Sequence, residues 1–197
     1  MNDITFLSFG KPVDPGFGSI VCLPWVKDGE GAAARLYRAR CAGLRAINTR
    51  YFCWLDGEPD VLLPGFRVCM ERFAAELDAT GACIAYGDEM QADTRRVSGP
   101  YTAEEFRKRI AMIHHGVLCR TESARALALG DGCFSFEVLV YGALAERGFV
   151  YLADECLYQW NPSPNGARLW KDYSRAIVNS LLWHQGRKGV HFKADFA

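Results

Sequence analysis

Tyr51-Phe52-Cys53-Trp54-Leu55-Asp56-Gly57-Glu58-Pro59-Asp60-Val61-Leu62-Leu63-Pro64-Gly65 runs from five apolar residues straight into three acids within five positions. The apolar pentapeptide, rich in aromatics and with no polar alternation, reads as a strand buried on both faces. The acids then fall at its carboxyl end. In α/β proteins that end of a strand is where ligands bind. Closely spaced carboxylates are hard oxygen ligands for Mg²⁺ or Mn²⁺, and through the cation for phosphates. Gly-Glu-Pro-Asp is equally good turn chemistry. Taken alone, the segment is either a turn that closes a strand or a metal-ligating edge.

Working outward, residues 30–48 place Ala, Leu and Arg at helical spacing, and a second helix is expected from Pro64 to about Thr80. Ala82-Cys83-Ile84-Ala85-Tyr86 is a short strand ending in Gly87-Asp88-Glu89, and 91–100 is a polar loop. Thr102-Ala103-Glu104-Glu105 opens a helix in the manner of a capping box. His115 to Arg120 reads as a strand, 123–129 as a short helix, and 134–148 as a helix closed by glycine. The strand Phe149-Val150-Tyr151-Leu152 and a helix over about 169–184 complete the chain. At the start, Ile4-Thr5-Phe6-Leu7-Ser8-Phe9 and the segment 19–26 are strands. The link between them holds two prolines and two glycines, so it is no helix. An ordinary βαβ unit is therefore not expected there. Strands alternating with helices place the chain in the α/β class.

At 197 residues, half of them hydrophobic, the chain fits one domain with a real core. The 23 basic and 23 acidic residues cancel, which disfavours nucleic acid as a bulk electrostatic partner. Eight cysteines without a Cys-x-x-Cys spacing read as reduced thiols of a cytoplasmic protein. No apolar run approaches the ~20 residues of a membrane span, and the start carries no basic leader.

In order, four segments resemble the family 2 glycosyltransferases of the GT-A fold. Ala39-Arg40-Cys41-Ala42-Gly43-Leu44-Arg45-Ala46, running into Tyr51 and Leu55-Asp56, is similar to the family's Ala-Arg-Asn-x-Gly-Leu helix and metal-binding strand end. Ile84-Ala85-Tyr86-Gly87-Asp88-Glu89 resembles its central strand. His115 to Ala124 resembles the acceptor-side strand with its arginine, Arg120. Phe136-Glu137-Val138-Leu139, and later Leu152 through Trp160, resemble the helix bearing the catalytic acid and the strand after it. The resemblance covers roughly 32–165.

That resemblance implies a single GT-A-like α/β domain over 1–165, with a mixed, mostly parallel sheet flanked by helices. Residues 166–197 would then be a C-terminal helix and tail packed on the same domain or on a partner subunit. It implies transfer of a sugar from a nucleotide-sugar donor, UDP-linked, to an acceptor hydroxyl of unknown identity, with Mn²⁺ or Mg²⁺. A homo-oligomer is compatible with it. Asp56, Glu58 and Asp60 would hold the metal, and Glu137 would be the catalytic base. Glu137 also reads as a carboxylate complementing a helix dipole.

Arg35, Arg38 and Arg40 on one helix suit phosphates or form a solvated basic face. Asp88 would line the cleft or cap a turn, and Asp28 would contact the nucleoside. His115 touches metal or diphosphate, or is a hydrogen-bonded structural histidine. Trp160, Trp170, Trp183, Tyr158 and Tyr173 are either an aromatic platform or core.

The departures are the inserted Pro59, Glu58 for the second Asp, Cys41 for Asn, Val138 for the second acid, and a nucleotide-binding half cut to two strands. They leave two alternatives open. One is a transferase of this fold redirected to another activated donor or to a modified nucleic-acid base. The other is a nucleotide-binding protein without catalysis.

Overall fold

The computed structural model describes residues 3–9, 14–23, 31–55, 61–108, 113, 115–127, 129, 132–161 and 166–187. Asp28, Asp56, Glu58 and Asp60 lie outside the described residues. Eight strands form one sheet: β1 (Ile4–Phe9), β2 (Ser19–Leu23), β3 (Tyr51–Leu55), β4 (Val61–Leu62), β5 (Ile84–Gln91), β6 (Thr94–Arg96), β7 (Leu118–Arg120) and β8 (Phe149–Trp160). Their spatial order is β2-β1-β3-β7-β5-β8-β4, with β6 hairpinned onto β5. β1, β2, β3, β5 and β8 run one way, and β4, β6 and β7 run against them. This is the expected mixed, mostly parallel α/β sheet.

Two apolar layers sandwich it. Phe52 and Trp54 of β3 face α1 (Ala32–Ala46), a π-helix (Glu137–Tyr141) that continues into α5 (Gly142–Ala145), and α6 (Gly166–Arg187). Tyr51, Cys53 and Leu55 face α2 (Phe66–Thr80), which buries Phe66, Met70, Phe73 and Leu77. Strict alternation along a strand buried at all five positions is what a two-sided apolar pentapeptide dictates. Two short helices, α3 (Ala103–Lys108) and α4 (Thr121–Arg125), complete the fold. Thr102 Oγ1 accepts from the Glu105 amide at 3.1 Å, as the capping sequence predicts. No helix among the described residues is long and apolar enough to cross a membrane. All eight cysteines are free thiols.

The structure adds to or departs from the sequence reading in five main places. First, β1 and β2 pair in parallel, although a link too short for a helix joins them. Its nine positions, 10 through 18, reach at most about 30 Å, enough to retrace a ~16 Å strand. In the described part, Phe17 takes the covering role a helix would have, with its ring 5.1 Å from Phe6 and 6.1 Å from Phe66. Gly18 sits at φ +71, where a Cβ would meet the Ile4 carbonyl at 2.7 Å.

Second, β5 does not stop at Tyr86 but continues through Asp88 and Glu89, because β8 runs on beside it to Trp160. The register slips as it does so. Between Tyr86↔Tyr151 and Asp88↔Cys156, the single residue Gly87 faces four on β8. Such a bulge brings backbones together. A Cβ on Gly87 would lie 2.3 Å from the Glu155 carbonyl oxygen. Third, 94–96 is strand rather than loop, and the turn into it uses Ala92 at φ 48. Fourth, Val61 and Leu62 pair with Gln159 and Tyr158 as β4.

Fifth, the helix expected over 134–148 opens as a π-helix at Glu137. The wider turn leaves the Val138 carbonyl to a different donor. Gly142 donates to Leu139, while His184 Nε2 of α6 lies 3.0 Å from the Val138 oxygen. Together with buried Ala176, Ile177 and Ser180, this bond seats α6 against the π-helix.

Candidate active site

The chain enters β1, crosses to β2 on one side, and returns through α1 to β3 on the other, so a switch point lies between β1 and β3. A crevice outside the carboxyl ends of two such strands is the usual ligand position in this architecture. Ser8 and Leu55 face each other across it in register. Leu55 is followed in sequence by Asp56. Ser8 Oγ is buried and has no hydrogen-bond partner among the described residues. Cys53 pairs with Leu118, which also pairs with Ala85, and β7 runs backwards between them. Stepping back from Leu118 to Gly116 and His115 therefore leads to the same edge that carries Gly87, Asp88 and Glu89.

On the α1 face, Arg40 is 1 % exposed and its guanidinium lies 4.4 Å from the Trp54 ring centroid, a cation–π arrangement. Its Nη1 forms an ion pair with Glu137 Oε1. The other carboxylate oxygen, Oε2, accepts from Tyr173 Oη at 2.7 Å and Ser135 Oγ at 2.9 Å. Two helices, α1 and α6, and Ser135 just ahead of the π-helix thus converge on one carboxylate at its first turn, an irregularity that recurs at functional sites. The structure brings Arg40 and Glu137 together. It does not group Arg40 with Arg35 and Arg38, because Arg40 turns inward while the other two stay half-exposed.

On the β5 strand, Asp88 is 3 % exposed and fully engaged. Its Oδ1 accepts from the Ser98 amide at 2.9 Å and from Tyr151 Oη at 2.7 Å, and its Oδ2 takes the Arg95 guanidinium at 2.9 Å. Burial and the bond to Asp88 push the Tyr151 phenol above its ordinary value, which keeps it a donor. Asp88 caps no turn; it braces the β5–β6 hairpin against β8.

Its neighbour Glu89, which the sequence reading passed over as a candidate, is wholly buried. Glu89 Oε1 pairs with Arg96 at 3.2 Å, and Oε2 lies 2.7 Å from His115 Nδ1 and accepts the His115 amide at 3.2 Å. The imidazole stacks on Tyr158 at 5.4 Å and Trp160 at 5.8 Å. A carboxylate on Nδ1 orients a histidine ring and assigns its other nitrogen outward. The only sequence signal for Glu89 was its place two residues after Gly87 on a strand whose continuation was not foreseen.

The remaining aromatics do not converge on one platform. Tyr173 serves Glu137, and Trp183 packs edge-on against His184. The side chain of Trp170 lies outside the described residues. Among the described residues, no three His, Cys, Asp or Glu side chains gather as a metal cluster. The acids that follow Leu55 are the donor set whose chemistry suits a hard divalent cation, and they follow the strand at the switch point.

No protein-family model matches the chain, and no curated protein matches it. Solved structures do. TarS of S. aureus superposes with a TM-score of 0.56 at 11 % identity, covering 99 % of this chain and 40 % of TarS. A TarS 1–349 structure in complex with UDP-GlcNAc gives 0.55 at 9 %, covering 99 % and 68 %. Glucosyl-3-phosphoglycerate synthase from Mycobacterium tuberculosis, in complex with Mn²⁺, UDP-glucose and phosphoglyceric acid, gives 0.57 at 14 %, covering 98 % and 82 %. The present chain thus spans 40 % of the TarS chain and most of the synthase. At these identities the likeness establishes architecture alone: the protein has the GT-A fold.

Proposed function

We propose that the protein transfers a sugar from a nucleotide sugar, UDP-linked, to an acceptor hydroxyl, in the cytoplasm. The observation that carries this reading is the Glu137 carboxylate, held by Arg40, Tyr173 and Ser135 on the face of β3 that leads to the acidic edge. Glu137 is the general base. It takes the proton of the acceptor hydroxyl as that oxygen bonds the anomeric carbon and the bond to the diphosphate breaks. Arg40 and Tyr173 hold the carboxylate in one orientation, which lowers the entropic cost of reaching the reactive geometry.

Asp56, Glu58 and Asp60 would hold Mn²⁺ or Mg²⁺, whose Lewis acidity neutralises the leaving diphosphate. Glu89 orients His115, and its ring stacks beside Trp160 at the same edge, where it suits a diphosphate or ribose contact. TarS in complex with UDP-GlcNAc and the synthase in complex with Mn²⁺ and UDP-glucose support the choice of donor class.

Calorimetry with UDP and Mn²⁺ tests the reading. Binding is expected for the wild type and absent in Asp56→Ala; a wild type that ignores UDP sinks it. UDP-glucose and UDP-GlcNAc turnover should fall at least about a hundredfold in Glu137→Gln, the scale of a lost general base.

One observation favours a second reading, a nucleotide-sugar-binding protein without catalysis. Glu137 already holds three donors, and the second acid of the family's helix is Val138. UDP binding without donor turnover, unchanged in Glu137→Gln, would decide for that reading.

A further inference from the structure

At the opposite end of β3 lies a cavity of about 490 Å³, within the range of small-molecule sites. It opens between the turn entering β3 and the β7–α4 junction, which the Thr121 amide ties to the Arg50 carbonyl at 3.0 Å. Its wall includes Thr49, Arg50, Arg120, Thr121, Ser123 and Arg125.

Three features make this an anion site. First, two of its three guanidiniums, Arg120 and Arg125, are held in place chiefly by main-chain carbonyls, which fix their positions and leave their charge. Arg125 donates to the carbonyls of Leu44 at 3.0 Å, Arg45 at 3.1 Å and Ile47, and no carboxylate pairs with it among the described residues. Arg120 donates to Ala82 at 2.7 Å and to Leu77, with Asp78 at 3.4 Å. Second, Arg50 is half-exposed: it pairs with Asp78 at 2.9 Å and lies 5.3 Å from the Tyr51 ring centroid, and about half of its side-chain surface stays open to solvent. Third, Thr121 is 3 % exposed, and its buried Oγ1 has no hydrogen-bond partner among the described residues. A buried hydroxyl without a partner is destabilising, and an acceptor brought against it would remove that cost. Glu122 is the one carboxylate on the wall, against three arginines.

We propose that this cavity binds the phosphate group of a phosphate monoester. A phosphoryl group presents three acceptor oxygens to several donors at once, the match that fixed guanidinium forks and hydroxyls provide. The site lies about 16 Å from the carboxyl end of β3, one length of that strand. It is therefore separate from the donor crevice and does not depend on the function proposed above. The ester is either a soluble metabolite or a lipid headgroup.

Titration of the full-length chain with glycerol 3-phosphate, at ionic strength held constant with NaCl, tests the soluble source. Sedimentation with phosphatidylcholine vesicles containing phosphatidic acid tests the lipid source. Saturable binding is expected in one arm. Thr121→Val and Arg50→Gln should each weaken it by about tenfold or more, the value of a hydrogen bond to a charged group. Asp56→Ala should leave it unchanged, which separates it from the donor site. Thr121→Val removes a hydroxyl that bonds nothing among the described residues, so its melting temperature should not fall, and exposed Arg50→Gln guards against a folding artefact. No saturable binding in either arm, or binding undiminished in both variants, overturns the proposal.

Discussion

The two ends of β3 manage charge in opposite ways. Toward its carboxyl end, three charged groups of the described residues are buried and paired: Arg40 is 1 % exposed, Glu89 0 %, Asp88 3 %, each with named partners. Beyond its amino end they are open. Asp78, Arg50 and Arg120 share a half-exposed cluster in which Tyr51 Oη donates to Asp78. Removing water from an ion costs several kcal/mol unless a partner replaces it, so a buried pair is intolerant of losing one member. An exposed pair is worth little to stability, because solvent screens it. The lesson is that the closed end holds its groups in fixed geometry, as the proposed catalysis requires, and the open end leaves exposed the donors that the proposed phosphate site would use.

That contrast breaks most visibly at Arg40. Arg40→Met keeps the stem over Trp54 but strands Glu137, and should cost about 3–5 kcal/mol in urea unfolding. Adding Glu137→Leu should restore much of the loss. A double variant no more stable than the single one would mean that packing, not charge, explains the site.

A smaller effect is expected at the bulge. Gly87→Ala forces a methyl onto the Glu155 carbonyl and should destabilise by about 1–3 kcal/mol. Chemical denaturation measures it. A neutral outcome would show that β8 can move away and that the Asp88–Glu89 edge is not rigid.

The smallest effect belongs to the open end, and pH reads it. The Tyr51 hydrogen bond, then Arg50 and Arg120, hold the Asp78 carboxyl below its ordinary 3.8. A depressed carboxyl contributes stability that is present above the unfolded value and lost as pH falls through the folded one. Asp78→Asn should therefore cost less than about 1 kcal/mol at pH 7 and flatten the decline of melting temperature below about pH 4. Identical acid slopes in the two proteins would remove Asp78 from the account. The same contact works on Tyr51, whose phenol burial and Asp78 together push up to about 12.

Much of the architecture was legible because it is local. Tyr51–Leu55 announced a strand buried on two sides, the spacing of Phe66, Met70, Phe73 and Leu77 a helix with one apolar face, and Thr102 a cap. Glu137 and His115 also stood out in the sequence by residue type and order. The partners were not. Nothing near Glu137 in sequence points to Arg40 or Tyr173, and Glu89 became visible only when β5 proved to run past Gly87. Likewise, the π-helix depends on His184 accepting the role of partner to Val138, a contact made across 46 residues.

The sequence alone therefore determined the elements, their alternation, and the acidic run that ends the central strand, since periodicity and turn chemistry act over a few residues. Tertiary structure decided how long β5 and β8 extend, which arginine turns inward, and which groups close on each carboxylate. Those outcomes depend on burial, because only a low-dielectric interior forces every charge to find a partner, and that partner lies wherever the fold brings one.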